Sequence, residues 1–229
     1  MAGSAPVAFT GFGEQALGFF EGLEADNSKS YWTDRLPVYE ALVRQPMLAL
    51  LATLEPEFGP GKVFRPYRDV RFSKDKAPYK TQIGALAGDG GLYVQLDADG
   101  LMLAGGYYTM ARDQLERYRA AVDADGTGRA LSRLTRTLTG AGFDLAGERL
   151  SRAPRGVDPD HPRIDLLRHK GIAAIRRFEE QPWLDGPGCL DVVADTWRQV
   201  RPLCRWLDRH VGPPVPQEGD RTPRPGRSG

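Results

Sequence analysis

The chain has 229 residues, of which 41% are apolar and 27% are charged, and its formal net charge is +1. This length and composition are typical of one or at most two globular domains. The near-neutral net charge argues against a protein whose main function is to bind nucleic acid. The longest apolar run, Met47–Leu54, is interrupted by Thr53 and is too short to cross a bilayer, so no membrane partner is expected. The two cysteines are widely spaced, so we expect a cytoplasmic protein with no disulfide framework.

The first quarter of the chain is predicted to be helical. Thr10 is placed to cap a helix over Phe12–Leu23, whose apolar residues recur at helical spacing. After a turn at residues 25–28, a second and longer helix is predicted over Lys29–Leu54.

Two prolines and two aromatic residues mark the second predicted helix. Pro37 and Pro46 should break or kink it, because proline cannot donate a hydrogen bond to the preceding turn. Trp32 and Tyr39 fall on its apolar stripe. We expect both in the core, with the alternative that one of them forms a wall of a ligand pocket.

Residues 62–81 concentrate positive charge, and we call them the basic segment. They contain two aspartates and seven cationic side chains, namely Lys62, Arg65, Arg68, Arg71, Lys74, Lys76 and Lys80. Such a stretch in a nearly neutral chain is typical of a local site for an anion. The alternative is a solvated edge strand whose charges keep other sheets from pairing with it.

The first half of the basic segment is predicted to be a strand over Val63–Phe72. The two-residue period of a strand then places Arg65, Asp69 and Arg71 on one face, with an apolar set on the other. Pro66 indicates an edge position or a bulge, because it has no N–H for a sheet ladder. Residues 73–78 are predicted to form a loop.

Most of the sheet is predicted to follow directly. The strands are expected at Gln82–Ala87, Leu92–Asp97 and Leu101–Tyr107, with a hairpin turn at residues 97–100. The pair Gly105-Gly106 either lets a ligand approach the backbone closely or marks a bulge.

The second half of the chain mixes helices with short strands. Helices are predicted at Ala111–Val122, Thr127–Thr139, His161–His169 and Leu190–Val211, with a strand or loop at Phe143–Leu150 and a strand at Gly171–Phe178. Pro202 should kink the last helix. Residues 212–229 are rich in proline and glycine and are predicted to be a disordered tail.

The sequence resembles a known protein family in several blocks. RDVRFSKDKAPYKT in the basic segment is similar to the signature of domain of unknown function 2461, and the earlier FTGFGEQALGFFEGLEADNSKSYWTDRLPVYE and the later DQLERYRAAV and HPRIDLLRHKGIA resemble its flanking blocks. The resemblance spans roughly Phe9–Phe178. It implies a single α+β domain and no settled activity, and it favours Arg119, in the DQLERYRAAV block, as a further ligand for the anion.

Standard catalytic and nucleotide-binding motifs give little guidance. The chain has neither a Gly-x4-Gly-Lys-Ser/Thr loop nor a Gly-x-Gly-x-x-Gly turn after a strand. His161 and His169 are eight residues apart, which is too far to chelate one metal from a regular helix, so no metal site is predicted, although a carboxylate-dominated site is left open. No cofactor is identified.

Three functions are compatible with the basic segment. The first is a pocket for a phosphorylated or carboxylated small molecule, in a protein that could be an enzyme using acid–base chemistry. The second is nucleic-acid binding with aromatic stacking, and the third is docking of an acidic protein partner. For the first, the proton-transfer candidates are Asp69 and His161, although a capping or solvent-facing role is the more common one for a histidine in such a place. The predicted substrate ligands are Arg65, Arg68, Arg71, Lys74, Lys76, Tyr79, Lys80 and Arg119.

The predicted architecture is a single α+β domain over residues 1–211. We expect a mainly antiparallel sheet of about five or six strands, packed by N-terminal, middle and C-terminal helices. The tail at 212–229 would lie outside this domain.

Overall fold

The computed structural model describes residues 8–69, 71, 76–89 and 91–215. Its helices are α1 (Glu14–Ala25), α2 (Lys29–Val38), α3 (Gln45–Phe58), α4 (Arg112–Asp123), α5 (Asp125–Gly140), α6 (Ile164–Leu167) and α7 (Gly188–His210). Its strands are β1 (Gly61–Val63), β2 (Gln82–Ala87), β3 (Leu92–Asp97), β4 (Gly100–Tyr107), β5 (Asp144–Ala146) and β6 (Ile172–Phe178). A π-helical turn (Tyr39–Arg44) joins α2 to α3, and a 3₁₀ turn (Pro182–Asp185) precedes α7.

The six strands form one antiparallel sheet in the order β1-β2-β3-β4-β6-β5. Helices α1, α3 and α7 contact the strands, and α5 contacts β5 at the far edge. The α+β architecture with a six-stranded antiparallel sheet is therefore confirmed.

The helices pack on one face of the sheet because the strands bury alternate residues there. Leu92, Val94 and Leu96 of β3 are buried, whereas Tyr93 and Gln95 between them are only partly covered. The pair Gly105-Gly106 has two roles in this arrangement. A Cβ on Gly105 would lie 2.4 Å from Val200 of α7, so glycine lets the helix approach the sheet, and Gly106 has a φ of 133° that disfavours other residues.

The N-terminal helices differ from the prediction in their details. The first helix begins at Glu14, and its N-cap is Gly13 without a side-chain hydrogen bond, so Thr10 does not cap it. The predicted long helix is helical throughout but changes to π-type hydrogen bonding between Pro37 and Pro46. This change agrees with the expected disturbance, because each proline removes one backbone donor from the helix.

The prediction of a strand over Val63–Phe72 was right at Val63 and wrong for the described residues after it. The ladder with β2 ends at Val63, and residues 64–69 follow an irregular path with a single bridge between Tyr67 and Tyr79. The chain still doubles back on itself, because Arg68 N–H donates to Pro78 O at 2.9 Å and Lys80 N–H donates to Pro66 O at 2.8 Å. Pro66 accounts for the irregularity, since it accepts here and cannot donate. Residues 70 and 72–75 lie outside the described residues.

The C-terminal part largely follows the prediction. The region predicted as strand or loop holds the short β5, and α7 continues through Pro202 as one helix. Residues 212–215, where the predicted tail begins, contact α4: Gln114 donates to Gly212 O at 2.7 Å, and Val215 N–H donates to Asp113 at 2.8 Å. The rest of the tail prediction lies outside the described residues.

No helix in the described ranges is long and apolar enough to cross a membrane.

Candidate functional site

The sheet face opposite the helices carries a concave surface, and we call this face the open face. Side chains of residues that pair across antiparallel strands project to the same side. One such row runs across five strands, from Lys62 through Leu86, Tyr93 and Ala104 to Ile175. The basic segment therefore contributes its first lysine to the open face.

A groove of about 1040 Å³ follows this face. Its floor is low because small residues occupy it, namely Ala104, Gly106 and Ala173. Taller side chains stand around the floor, including Phe64, Tyr93 and Met102. Gly212, Pro213 and Pro214 complete the lining at the end where α7 stops. The groove is thus mostly apolar and large enough for a small organic molecule.

A strip of hydrogen-bonded polar groups crosses the groove along β3. The Tyr93 hydroxyl donates to Gln95 Oε1 at 2.8 Å, and Gln95 Nε2 donates to Asp97 Oδ2 at 2.6 Å. Asp97 is also paired with Arg177 of β6, whose Nη1 lies 2.9 Å from Oδ1. Burial, and secondarily the charge of Asp97, raises the pKa of Tyr93, so its hydroxyl stays protonated near neutral pH.

The basic segment is attached to the helical layer beside this groove. Asn27, in the turn before α2, accepts a hydrogen bond from Tyr79 N–H at 3.0 Å and donates to Tyr79 O at 3.2 Å. The Tyr79 ring stacks on Trp32, with 4.4 Å between ring centroids and an interplanar angle of 10°. Tyr79, a predicted ligand contact, is 6% exposed and is part of the core. Trp32 is likewise a core residue, and it also touches Tyr67 of the basic segment.

Three of the predicted cationic ligands lie close enough to influence one another. Lys80 Nζ lies 5.5 Å from the centroid of the Phe64 ring, which lines the groove. Partial burial, followed by the positive charges of Arg65 and Arg68, lowers the pKa of Lys80. Lys80 has no ion pair with any described residue. The surroundings of Lys80 therefore disfavour its charged form.

The remaining predicted residues of the basic segment lie on its exposed side. Arg71 is bonded to Asp69 through two contacts of 2.9 and 2.6 Å, and these hydrogen bonds lower the pKa of Asp69. A carboxylate held by a guanidinium in this way is a weak base. Lys76 is exposed, and Lys74 lies outside the described residues.

The structure does not bring His161 and Arg119 to the groove. His161 Nε2 lies 3.2 Å from Asp123 at the end of α4, and its Nδ1 accepts a hydrogen bond from Arg163 N–H, so both ring nitrogens are engaged. Arg119 lies on α4, which packs against α5, α6 and α7. Helix α5 contacts β5, which is five strand spacings, or about 24 Å, from β1. One small ligand therefore does not reach both sets of residues.

The polar strip on β3 was missed by the sequence analysis, although the sequence carried a signal for it. Tyr93, Gln95 and Asp97 alternate with Leu92, Val94 and Leu96, a pattern that places all three polar side chains on one face of the strand. No group of three or more His, Cys, Asp or Glu side chains that could hold a metal ion occurs within residues 8–69, 71, 76–89 and 91–215.

The geometry thus defines an α+β protein with a helical layer on one sheet face and a groove on the other. The chain belongs to the family described as conserved hypothetical protein (DUF2461), whose model matches residues 15–206. The resemblance inferred from the sequence blocks is therefore confirmed. No curated protein and no solved structure matches the chain.

Proposed function

We propose that the protein binds a small carboxylated or phosphorylated molecule with an apolar body in the groove of the open face. The observation that carries this proposal is the position of Lys80. Its ammonium is partly buried, lies over the groove-lining ring of Phe64, and stands next to Arg65 and Arg68 without an ion pair to a described residue.

The groove is complementary to a ligand with one charged end and one apolar end. Lys62 shares the open face with Leu86, and the ammonium of Lys80 lies over the ring of Phe64, which lines the groove. Away from these lysines the floor is formed by small apolar residues. An anionic group would meet the lysines while the apolar body covers the floor, which removes apolar surface from water.

The proposal is limited to binding. Asp69 is engaged by Arg71, and His161 is engaged by Asp123 and Arg163 away from the groove, so neither is assigned a proton-transfer step. Within the described part of the basic segment, Tyr67 is an aromatic residue that could stack on a nucleic-acid base, since it is 50% exposed. Binding of single-stranded nucleic acid is therefore an outcome that the experiment must separate from small-molecule binding.

Lys80→Met is expected to weaken binding of phenyl phosphate and 3-phenylpropionate by about tenfold or more, because each anion loses a charge-assisted hydrogen bond in a partly buried place. Titration calorimetry would measure the two affinities. Lys170→Met is the matched control, since the Lys170 ammonium is paired with Glu148 next to β5 and β6, at the edge of the sheet far from β1, and its loss should leave both affinities unchanged.

Two results would overturn the proposal. The first is equal affinity of the wild-type protein and Lys80→Met for both anions. The second is binding of short single-stranded oligonucleotides only, with an affinity that falls steeply as salt increases, which would make the basic segment a nucleic-acid surface.

A further inference from the structure

In the polar strip on β3, each group has a fixed role as hydrogen-bond donor or acceptor. These roles are set by Arg177, which can only donate. The guanidinium of Arg177 donates two hydrogen bonds to Asp97, at 2.9 and 3.1 Å, and the backbone N–H of Asp99 donates a third at 3.1 Å. A carboxylate in an ion pair only accepts hydrogen bonds. The group that approaches it from Gln95 must therefore be the amide nitrogen.

The orientation of Gln95 determines the role of Tyr93. With its Nε2 directed at Asp97, Gln95 presents Oε1 to Tyr93, 2.8 Å from the hydroxyl oxygen. An amide oxygen accepts only, so the single proton of the Tyr93 hydroxyl is used in this bond. The Tyr93 oxygen retains lone pairs and can act toward a ligand only as an acceptor.

The Tyr93 hydroxyl is placed where a ligand in the groove would meet it. Tyr93 lines the groove, and its ring centroid lies 6.3 Å from that of Phe64, over which Lys80 is positioned. A Cβ on Gly84 would lie only 2.4 Å from the Tyr93 oxygen and would displace it. Glycine at position 84 therefore leaves room for the Tyr93 hydroxyl on the sheet surface.

We propose that the Tyr93 hydroxyl accepts a hydrogen bond from the ligand, and that the groove therefore selects anions that carry a hydroxyl or N–H group between the charge and the apolar body. This inference rests on the proposed function, since it assumes that the anion lies at Lys80. It narrows the ligand class to hydroxy or amino derivatives of amphipathic acids. An ether or a plain hydrocarbon chain at the same place leaves the Tyr93 oxygen without a donor.

The test compares three acids that differ at one position: 3-phenyllactate, 3-phenylpropionate and 2-methoxy-3-phenylpropionate. The wild-type protein should bind 3-phenyllactate about five- to tenfold more tightly than the other two, which is the usual range for one hydrogen bond. Tyr93→Phe should abolish this preference, while 3-phenylpropionate should retain its affinity.

A second variant tests the direction of the hydrogen bond. Gln95→Leu removes the acceptor that holds the Tyr93 proton, so the hydroxyl becomes able to donate. The methoxy acid should then bind several-fold more tightly than it does to the wild-type protein. This gain is not expected from a change of groove shape alone, because 3-phenylpropionate would share a shape effect and serves as the internal control.

The outcomes separate the two proposals. Equal affinities of the three acids for the wild-type protein, all weakened in Lys80→Met, would overturn the role of Tyr93 and leave anion binding in place. A preference for 3-phenyllactate that persists in Tyr93→Phe would do the same. Absence of binding of all three acids at millimolar concentration would overturn the anion site and the selection by Tyr93 together.

Discussion

Trp32→Ala is expected to destabilise the protein by about 3–5 kcal/mol, the usual cost of truncating a buried tryptophan. Trp32 is 3% exposed and lies at the centre of an aromatic cluster. Its ring stacks on Tyr79, tilts against Tyr39 at 4.9 Å and meets the edge of Phe19 at 6.1 Å. Alanine would leave a cavity between α1, the π-helical turn and the basic segment, which no neighbouring side chain could fill without leaving its own contacts.

Thermal unfolding would measure this effect. For a chain of this size, each kcal/mol lowers Tm by about 2–4 °C, so a decrease on the order of 10 °C is expected. Tyr67→Ala is the control, because Tyr67 belongs to the same cluster, 6.0 Å from Trp32, but is 50% exposed and should cost about 1 kcal/mol or less. Similar losses in the two variants would contradict the assignment of Trp32 to the core.

The same contacts link stability to the proposed function. Trp32 holds Tyr79, and the next residue along the chain is Lys80, the cation beside the groove. Trp32→Ala should therefore also weaken binding of phenyl phosphate at a temperature where the variant remains folded. Tyr67→Ala should weaken this binding less, because Tyr67 is 50% exposed and its loss leaves the stacking of Tyr79 on Trp32 in place.

The sequence predicted the fold well where a local pattern and the tertiary packing agree. The hairpin of β3 and β4 was located almost to the residue, because apolar alternation and an Asp-Gly turn both specify it. Helix α7 was also located closely, since its buried residues recur at helical spacing. The strand predicted over residues 63–72 does not continue through residues 64–69, because alternation alone does not supply ladder partners and Pro66 has no N–H to donate.

The candidate site was only partly predictable for a different reason. Net charge marked the basic segment, but no local pattern shows which cations turn toward the sheet, and the structure separates Lys80 from the exposed Arg71. Tyr79 was predicted to be a ligand contact because it is a polar aromatic residue among cations. It is buried instead, because it stacks on Trp32, which lies 47 positions earlier in the sequence. The role of Tyr93 depends on a hydrogen-bond chain that reaches Arg177 on another strand. Contacts of such long range are not contained in any sequence window.

The anchoring of the basic segment connects these observations. The ring of Tyr79 stacks on Trp32, and its backbone is hydrogen-bonded to the side-chain amide of Asn27. Tyr79, which directly precedes Lys80, is therefore fixed by two independent contacts. For the proposed anion binding, a cation that is already fixed in place would lose less conformational entropy when the ligand binds. Substitution of Asn27 removes the backbone contact of Tyr79 without changing an aromatic contact. It therefore tests more sharply than Trp32→Ala whether the fixing of Tyr79 positions Lys80.

Asn27→Ala is expected to destabilise the protein by about 2–3 kcal/mol, because it leaves the N–H and C=O of buried Tyr79 without their side-chain partners. Asn27→Asp also loses stability, because a carboxylate oxygen replaces the donor that faces the Tyr79 C=O, but it retains the acceptor for the Tyr79 N–H. Hydrogen exchange at the Tyr79 amide should accelerate strongly in Asn27→Ala and only slightly in Asn27→Asp. Tryptic cleavage after Lys80 should accelerate in the same order.

Ser28→Ala separates this anchor from a simple effect on the neighbouring helix. Ser28 caps α2 through a hydrogen bond from Tyr31 N–H at 3.2 Å, and its loss should cost about 1 kcal/mol. Because Ser28 does not contact Tyr79, exchange at the Tyr79 amide and cleavage after Lys80 should stay close to wild type. If Asn27→Ala and Ser28→Ala behaved alike in both measurements, Asn27 would stabilise only the start of α2, and Lys80 would be positioned by the aromatic contacts alone.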